Sequence, residues 1–142
     1  MLAVVSEPID VAAVTAAATR DGFGGVVTFL GIVRDRADDG RAVTGLEYEA
    51  FAPMAVATFD SIAREAAERW GEVALAVVHR VGALRVGEVA VAVVAASAHR
   101  DVAFEACRYA IDELKSRAPI WKKEAYADGS ATWRENACGE RS

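Results

Sequence analysis

The chain has 142 residues, 54% of them hydrophobic and 26% charged, and a formal net charge of −5 at pH 7. That length suits one domain with an ordinary core, and the apolar share is large enough to need no disulfide scaffold. The negative balance weighs against nucleic acid as a partner unless basic residues gather on one face, and no apolar run reaches the roughly 20 residues of a membrane span.

Residues 1–20 are rich in Ala and Val but carry Glu7, Pro8 and Asp10 with no basic lead, so they do not read as an export signal and a cytoplasmic protein is expected. Ala12 to Thr19 predicts a short helix capped by Asp10, with Gly22 after its end. Gly24-Gly25 opens the apolar run Val26 to Leu30, which reads as a buried strand continuing through Gly31-Ile32-Val33 to Arg34. Past an Asp38-Asp39-Gly40 turn, Val43 to Phe51 is a second strand, its Leu46, Tyr48 and Ala50 alternating against Glu47 and Glu49. Pro53 suits the first turn of a helix that places Ala55, Phe59, Ile62, Ala63, Ala66 and Trp70 at helical spacing and stops at Gly71. Val73 to Val78 reads as a strand, Gly82 to Gly87 as a turn region, and Val89 to Ala95 as a central strand.

Asp101 to Ala118 is the clearest helix, with Ala103, Ala106, Cys107, Ala110, Ile111 and Leu114 as its apolar stripe; Pro119 ends it. Ile120 to Tyr126 is then extended, followed by an Asp128-Gly129 turn and a last segment through Trp133. Strands and helices intermix without strict βαβ alternation, so the expected class is α+β: one domain over residues 1–142, with a mixed or antiparallel sheet and packed helices.

Cys107 lies in an apolar helical stretch and Cys138 in a polar tail, without CxxC spacing, so each reads as a free thiol of a reducing compartment. Walker, GxSxG and HExxH motifs are absent, and His79 and His99 make a weak metal site, so neither a metal nor a resident cofactor is expected. Gly22-Phe23-Gly24-Gly25 lacks dinucleotide spacing and reads as a strand-entry turn. The informative residues are basic: Arg34, His99, Arg100, Lys115, Lys122 and Lys123 are read as the working site for an anionic substrate.

His99-Arg100 stands where a strand gives way to a helix, whose free N–H groups and positive dipole end suit a phosphate; Arg100 could equally pair with Asp101 or Glu105. Lys115, in the last helical turn, favours the helix dipole. With Lys122-Lys123 past the redirecting Pro119, it could equally belong to a cation group in which a partly desolvated lysine serves as acid, base or nucleophile. Lys122-Lys123-Glu124 could also be a solvated strand face, and Arg34 an ordinary loop arginine rather than a site residue at a strand end. Glu47 and Glu49 read as solvent-facing, Trp121 and Trp133 as packing or interface residues.

Five segments in order resemble the large, catalytic subunit of molybdopterin synthase. They are Val26-Val27-Thr28-Phe29-Leu30-Gly31-Ile32-Val33-Arg34; Leu46-Glu47-Tyr48-Glu49-Ala50-Phe51 with Met54-Ala55; His79-Arg80-Val81-Gly82-Ala83-Leu84 with Gly87-Glu88; Ser97-Ala98-His99-Arg100 with Ala103-Phe104-Glu105-Ala106; and Leu114-Lys115-Ser116-Arg117-Ala118-Pro119-Ile120-Trp121-Lys122-Lys123-Glu124. The resemblance implies sulfur transfer from the C-terminal glycine thiocarboxylate of a small ubiquitin-like carrier to cyclic pyranopterin monophosphate, forming the dithiolene of molybdopterin. It implies Lys115 as the principal catalytic lysine and Lys122 as the second. Arg34, His99 and Arg100 become the anion-binding set, and Ile32, Val33, Lys123 and Glu124 line the pocket. A homodimer within a heterotetramer is implied as well, with no nucleic-acid or membrane partner.

The chemistry suits these residue types. Phosphate and thiocarboxylate are anions that fixed cations bind and steer, and the sulfur nucleophile arrives on the partner, so no catalytic cysteine is needed. The chain ends Gly139-Glu140-Arg141-Ser142, so the carrier is expected to be a separate protein. The tail past about residue 135 matches poorly, and no basic contribution is assigned to Arg134 or Arg141. Two other classes stay open. A dimeric scaffold would bind the ubiquitin-like protein without turnover, against which both lysines argue; a phosphate-ligand sensor would keep His99 and Arg100 without needing the lysine pair. Arg100 and Lys115 lie at opposite ends of one helix, roughly 22 Å apart at the usual rise, so a site using both is expected to be shared across a two-fold dimer.

Overall fold

The computed structural model describes residues 1–135, the Glu135 side chain excepted. Two four-stranded sheets share the chain. The first has the order β1 (Leu2–Val5), β4 (Val73–Arg80), β6 (Val89–Ser97), β2 (Gly25–Ile32), and the second β5 (Gly82–Arg85), β3 (Val43–Ala50), β7 (Ile120–Tyr126), β8 (Ala131–Glu135). Strands β1 and β4 pair in parallel; the other pairings are antiparallel. The α+β expectation holds, with two sheets where one was expected.

Strand β6 reads as an unbroken apolar run because both faces are covered. Val91, Val93 and Ala95 join the main core, while Ala92, Val94 and Ala96 join a second core under α1 (Val11–Ala18). The same alternation splits β4: Val73, Leu75 and Val77 face the main core and Ala74, Ala76 and Val78 the second. Helix α1 starts where expected, the Asp10 carboxylate accepting from the Ala13 N–H at 3.1 Å.

Helices α2 (Ala52–Trp70) and α3 (Arg100–Arg117) cover the other face of the first sheet. Ala55, Phe59, Ile62 and Ala66 of α2 and Ala103, Ala106, Cys107, Ala110 and Leu114 of α3 are buried at helical spacing. Burying a side chain such as Phe59 or Leu114 stabilises the fold by about 1.5–3 kcal/mol. Across the helix pair, Glu65 accepts from Arg117 at 2.7 and 2.9 Å and from the Tyr109 hydroxyl at 2.6 Å. Arg117 first, then Tyr109, pull the Glu65 carboxyl down to about 2. Gly71 closes α2 at φ 77°, a left-handed conformation that glycine adopts without strain.

Two sequence expectations need correction, and one strand had no reading from sequence. Leu2–Val5 and Gly82–Arg85 are strands, although the first shows no apolar alternation and the second reads as a turn; each owes its conformation to a neighbour, β4 and β3 respectively. Val26–Leu30 is not buried: β2 lies at the edge of its sheet, and Val26, Phe29, Leu30 and Ile32 are exposed.

Candidate active site

The end of α3 and the start of β7 build the site. Leu114 turns into the core, so the next residue, Lys115, sits half-buried at the rim of the apolar stripe. Ala118 adopts an extended conformation ahead of Pro119, and β7 begins at Ile120. From there the period of two decides what faces inward. Ile120, Lys122, Glu124 and Tyr126 are buried, whereas Trp121 is exposed and Lys123 half-buried. The ladder to β3 sets Lys122 opposite Tyr48 and Glu124 opposite Leu46.

These elements meet the end of β2 around a cavity of about 210 Å³. Its charged and titratable lining is Arg34, Arg36, Tyr48, His79, Lys115, Lys122 and Glu124; Phe29, Leu30, Gly31 and Ile32 form an apolar wall. Four cations thus face one carboxylate, and that carboxylate is already engaged: Glu124 accepts from the Tyr126 hydroxyl at 3.2 Å and lies 3.3 Å from Arg134 Nε. Behind it, Arg41 stacks on the Tyr126 ring at 3.7 Å and donates to its hydroxyl at 3.0 Å, while Asp39 holds Arg41 at 2.7 Å. Arg34 is half exposed and pairs with Asp38 at 2.9 Å.

Two neutral groups complete the lining. Burial, and then the Glu124 charge, push the Tyr48 hydroxyl up to about 12, so it stays protonated. His79 is 0% exposed, packs edge-on against Tyr48 with ring centroids 5.0 Å apart, and is pushed down to about 4, chiefly by burial.

The cavity unites Ile32, Arg34, Lys115, Lys122 and Glu124 from the sequence-derived set, and leaves four others out. Val33 is core, 2% exposed, bonded through its backbone to Glu88 and Gly87. Lys123 projects from the opposite face of β7, with Nζ 5.6 Å from the Trp133 ring centre, because adjacent strand residues cannot share a face. His99 and Arg100 are exposed at the far end of α3; among the described residues Arg100 pairs with neither Asp101 nor Glu105, and Glu105 accepts instead from Trp70 Nε1 at 3.0 Å. Arg134, given no role from sequence, does reach the site through Glu124. Cys138 and Arg141 lie outside the described residues.

Arg36, Tyr48 and His79 were not singled out for the site from sequence. His79 had a readable signal, since continuing the β4 alternation Val73, Leu75, Val77 puts it on the core face. Arg36 had none, since it pairs with Ala42 across the Asp38-Asp39-Gly40 turn in a single bridge too short to display a period. No Cys, Ser or Thr lines the cavity among the described residues. The described lining thus offers no thiol or aliphatic hydroxyl as a nucleophile, while its cations can bind anions and stabilise developing negative charge.

Comparison with known proteins agrees with this geometry. The MoaE protein family model matches residues 4–117. The molybdopterin synthase catalytic subunit of Nostoc sp. is 43% identical over 132 residues, covering 92% of this chain and 79% of the relative. That of Mesorhizobium japonicum is 51% identical over 126 residues, covering 87% and 77%. The crystal structure of molybdopterin synthase from Staphylococcus aureus superposes with a TM-score of 0.89 at 36% identity, covering 94% of this chain and 96% of that one. By sequence and by fold, the chain belongs to the MoaE family of molybdopterin synthase catalytic subunits.

Proposed function

We propose that this chain transfers sulfur from the C-terminal thiocarboxylate of a small ubiquitin-like carrier to cyclic pyranopterin monophosphate, twice per dithiolene formed. The observation that carries the reading is one cavity in which Lys115 and Lys122, from either side of Pro119, stand with Arg34 and Arg36 and, among the described residues, without a hydroxyl or thiol beyond the protonated Tyr48. The thiocarboxylate sulfur bonds to a substrate carbon as that carbon's bond to oxygen breaks, the oxygen leaving as phosphate or water. Water then cleaves the bond between the sulfur and the carrier's acyl carbon, leaving a carboxylate on the carrier and the sulfur on the substrate. Lys122 stabilises negative charge at the acyl carbon, Lys115 moves the proton, and Arg34 holds anionic oxygens.

His99 and Arg100 serve the same substrate from the other protomer of a homodimer, itself the centre of a heterotetramer acting in the cytoplasm. Support for a second copy comes from the exposed apolar residues Val26, Phe29, Leu30 and Ile32 of an edge strand, with Phe29 beside the exposed Phe104. The test is incubation with thiocarboxylated carrier and pyranopterin phosphate. Dithiolene product is expected, and a carrier lacking its terminal Gly-Gly should give none; product with the truncated carrier, or its absence with the intact one, overturns the reading.

A further inference from the structure

His79 carries an acceptor that no described residue uses. Its Nδ1 lies 2.8 Å from the Arg80 main-chain carbonyl. A carbonyl only accepts, so Nδ1 bears the proton and Nε2 presents a lone pair. That Nε2 is shut off from water and meets no hydrogen-bond donor among the described residues, a rare condition for a buried polar atom in a native protein. The imidazole nevertheless borders the lysine cavity, held there by the edge-on Tyr48 ring.

Charged and titratable groups reach this cavity from every surrounding element: Arg34 and Arg36 after β2, Tyr48 on β3, Lys115 on α3, Lys122 and Glu124 on β7. Among them, Lys115 is the cation whose charge bears on the imidazole. We propose that His79 is a positioning residue for Lys115, its Nε2 accepting one N–H of the Lys115 ammonium in the working site. This deepens the functional reading given above and rests on it for the role of Lys115.

The fixed tautomer makes the arrangement work. An imidazole that stays neutral accepts from an ammonium without repelling it, and the Arg80 carbonyl, by holding the proton on Nδ1, leaves the lone pair on Nε2. An ammonium has three N–H donors. Tying one of them to His79 stops rotation at the end of a flexible stem and aims the others at the ligand. A protein that only needed to fill this space could use an apolar side chain, as β4 does with valine and leucine at its other core positions.

The experiment compares the wild type with His79→Phe, which keeps a ring and loses the acceptor, and with His79→Gln, whose amide oxygen restores a neutral acceptor near the Nε2 position. NMR titration of the Lys115 ammonium should give a lower midpoint in His79→Phe, because a hydrogen bond that favours the charged form is lost, and a return toward wild type in His79→Gln. In turnover, His79→Phe should lower kcat about 10-fold with little change in KM for either substrate, and His79→Gln should recover most of that loss. Should His79→Phe fail to fold, the wild type alone decides: its His79 Nε2 resonance should move as Lys115 loses its proton. A Lys115 titration equal in all three proteins, an indifferent Nε2 resonance, or unchanged kcat in an active enzyme overturns the inference. A wild type that makes no dithiolene overturns the functional reading instead, while the Lys115 titration still decides for or against His79.

Discussion

At the scale of single residues, the two lysines differ in how they are held, and their variants should differ too. Lys115 is half-buried at the edge of the α3 stripe, so Lys115→Ala should leave the melting temperature nearly unchanged. Single-turnover sulfur transfer should fall by about 10²- to 10⁴-fold, the range for a lost acid–base group; near-normal transfer removes its proposed role. Lys122 is 2% exposed, so Lys122→Ala needs a melting curve beside the rate. Its expected loss of transition-state stabilisation is on the order of 3 kcal/mol.

His79 predicts a pH dependence of stability. The unfolded imidazole takes its proton near 6.5, whereas the folded one is pushed down to about 4. Between those values the unfolded chain binds more protons, so this contribution is complete above 6.5 and is lost as pH falls toward 4. Its size is on the order of 3 kcal/mol. Denaturant midpoints across that window should fall more steeply for the wild type than for His79→Gln, and parallel curves would remove the assignment. The basic side chains at this scale were legible in sequence as chemistry. Their company was not: Arg36 and His79 reach the cavity through β2 and β4, far from the lysines in the chain.

At the scale of elements, β7 shows why a run of site-like residues divides. Lys122, Lys123 and Glu124 are consecutive, yet the pleat sends Lys122 and Glu124 inward and Lys123 toward Trp133. The extended reading of Ile120–Tyr126 already implied this division, and the resemblance, which put all three at the pocket, obscured it. Gly31 makes a second point. It lines the cavity opposite Val91 on β6, and a Cβ there would stand 2.6 Å from Val91 Cγ1. Val91 is buried and β-branched, with little freedom to turn away. Gly31→Ala should therefore destabilise the fold by about 1–3 kcal/mol, the usual effect of overpacking, read as a lower melting temperature. An unchanged melting curve would show that β2 shifts at no cost. The strands that escaped the sequence reading, β1 and β5, are the four-residue ones. So short a segment has too few residues to display a period, and pairing supplies the extended conformation instead.

At the scale of the whole molecule, the open question is where His99 and Arg100 act. They start α3 while Lys115 lies near its end, and the cavity holds only the lysine end. A separation of roughly 22 Å along the helix exceeds what one small ligand bridges. A two-fold mate bringing its own His99 and Arg100 to this cavity completes the proposed site. Mixing inactive Arg100→Ala and Lys115→Ala chains under exchange conditions should restore part of the activity, since a heterodimer holds one intact composite site. No recovery despite demonstrated subunit exchange counts against the shared site.

The sequence by itself determined the elements with a strong period or a strong stop: α2 ending at Gly71, α3 ending before Pro119, β6 as a strand apolar on both faces, and β7 as an extended segment. Those signals are local, because side-chain spacing and backbone restriction act within a few residues. Tertiary structure alone decided that β2 would be an exposed edge and that β1 and β5 would be strands. It also decided that Glu124 would be held by Arg134 and by a Tyr126 that Arg41 braces, and that His79 would close the lysine cavity with an unmet lone pair. Each of these depends on which segments meet across long stretches of chain, and that outcome is set by the burial of two whole cores rather than by any local pattern.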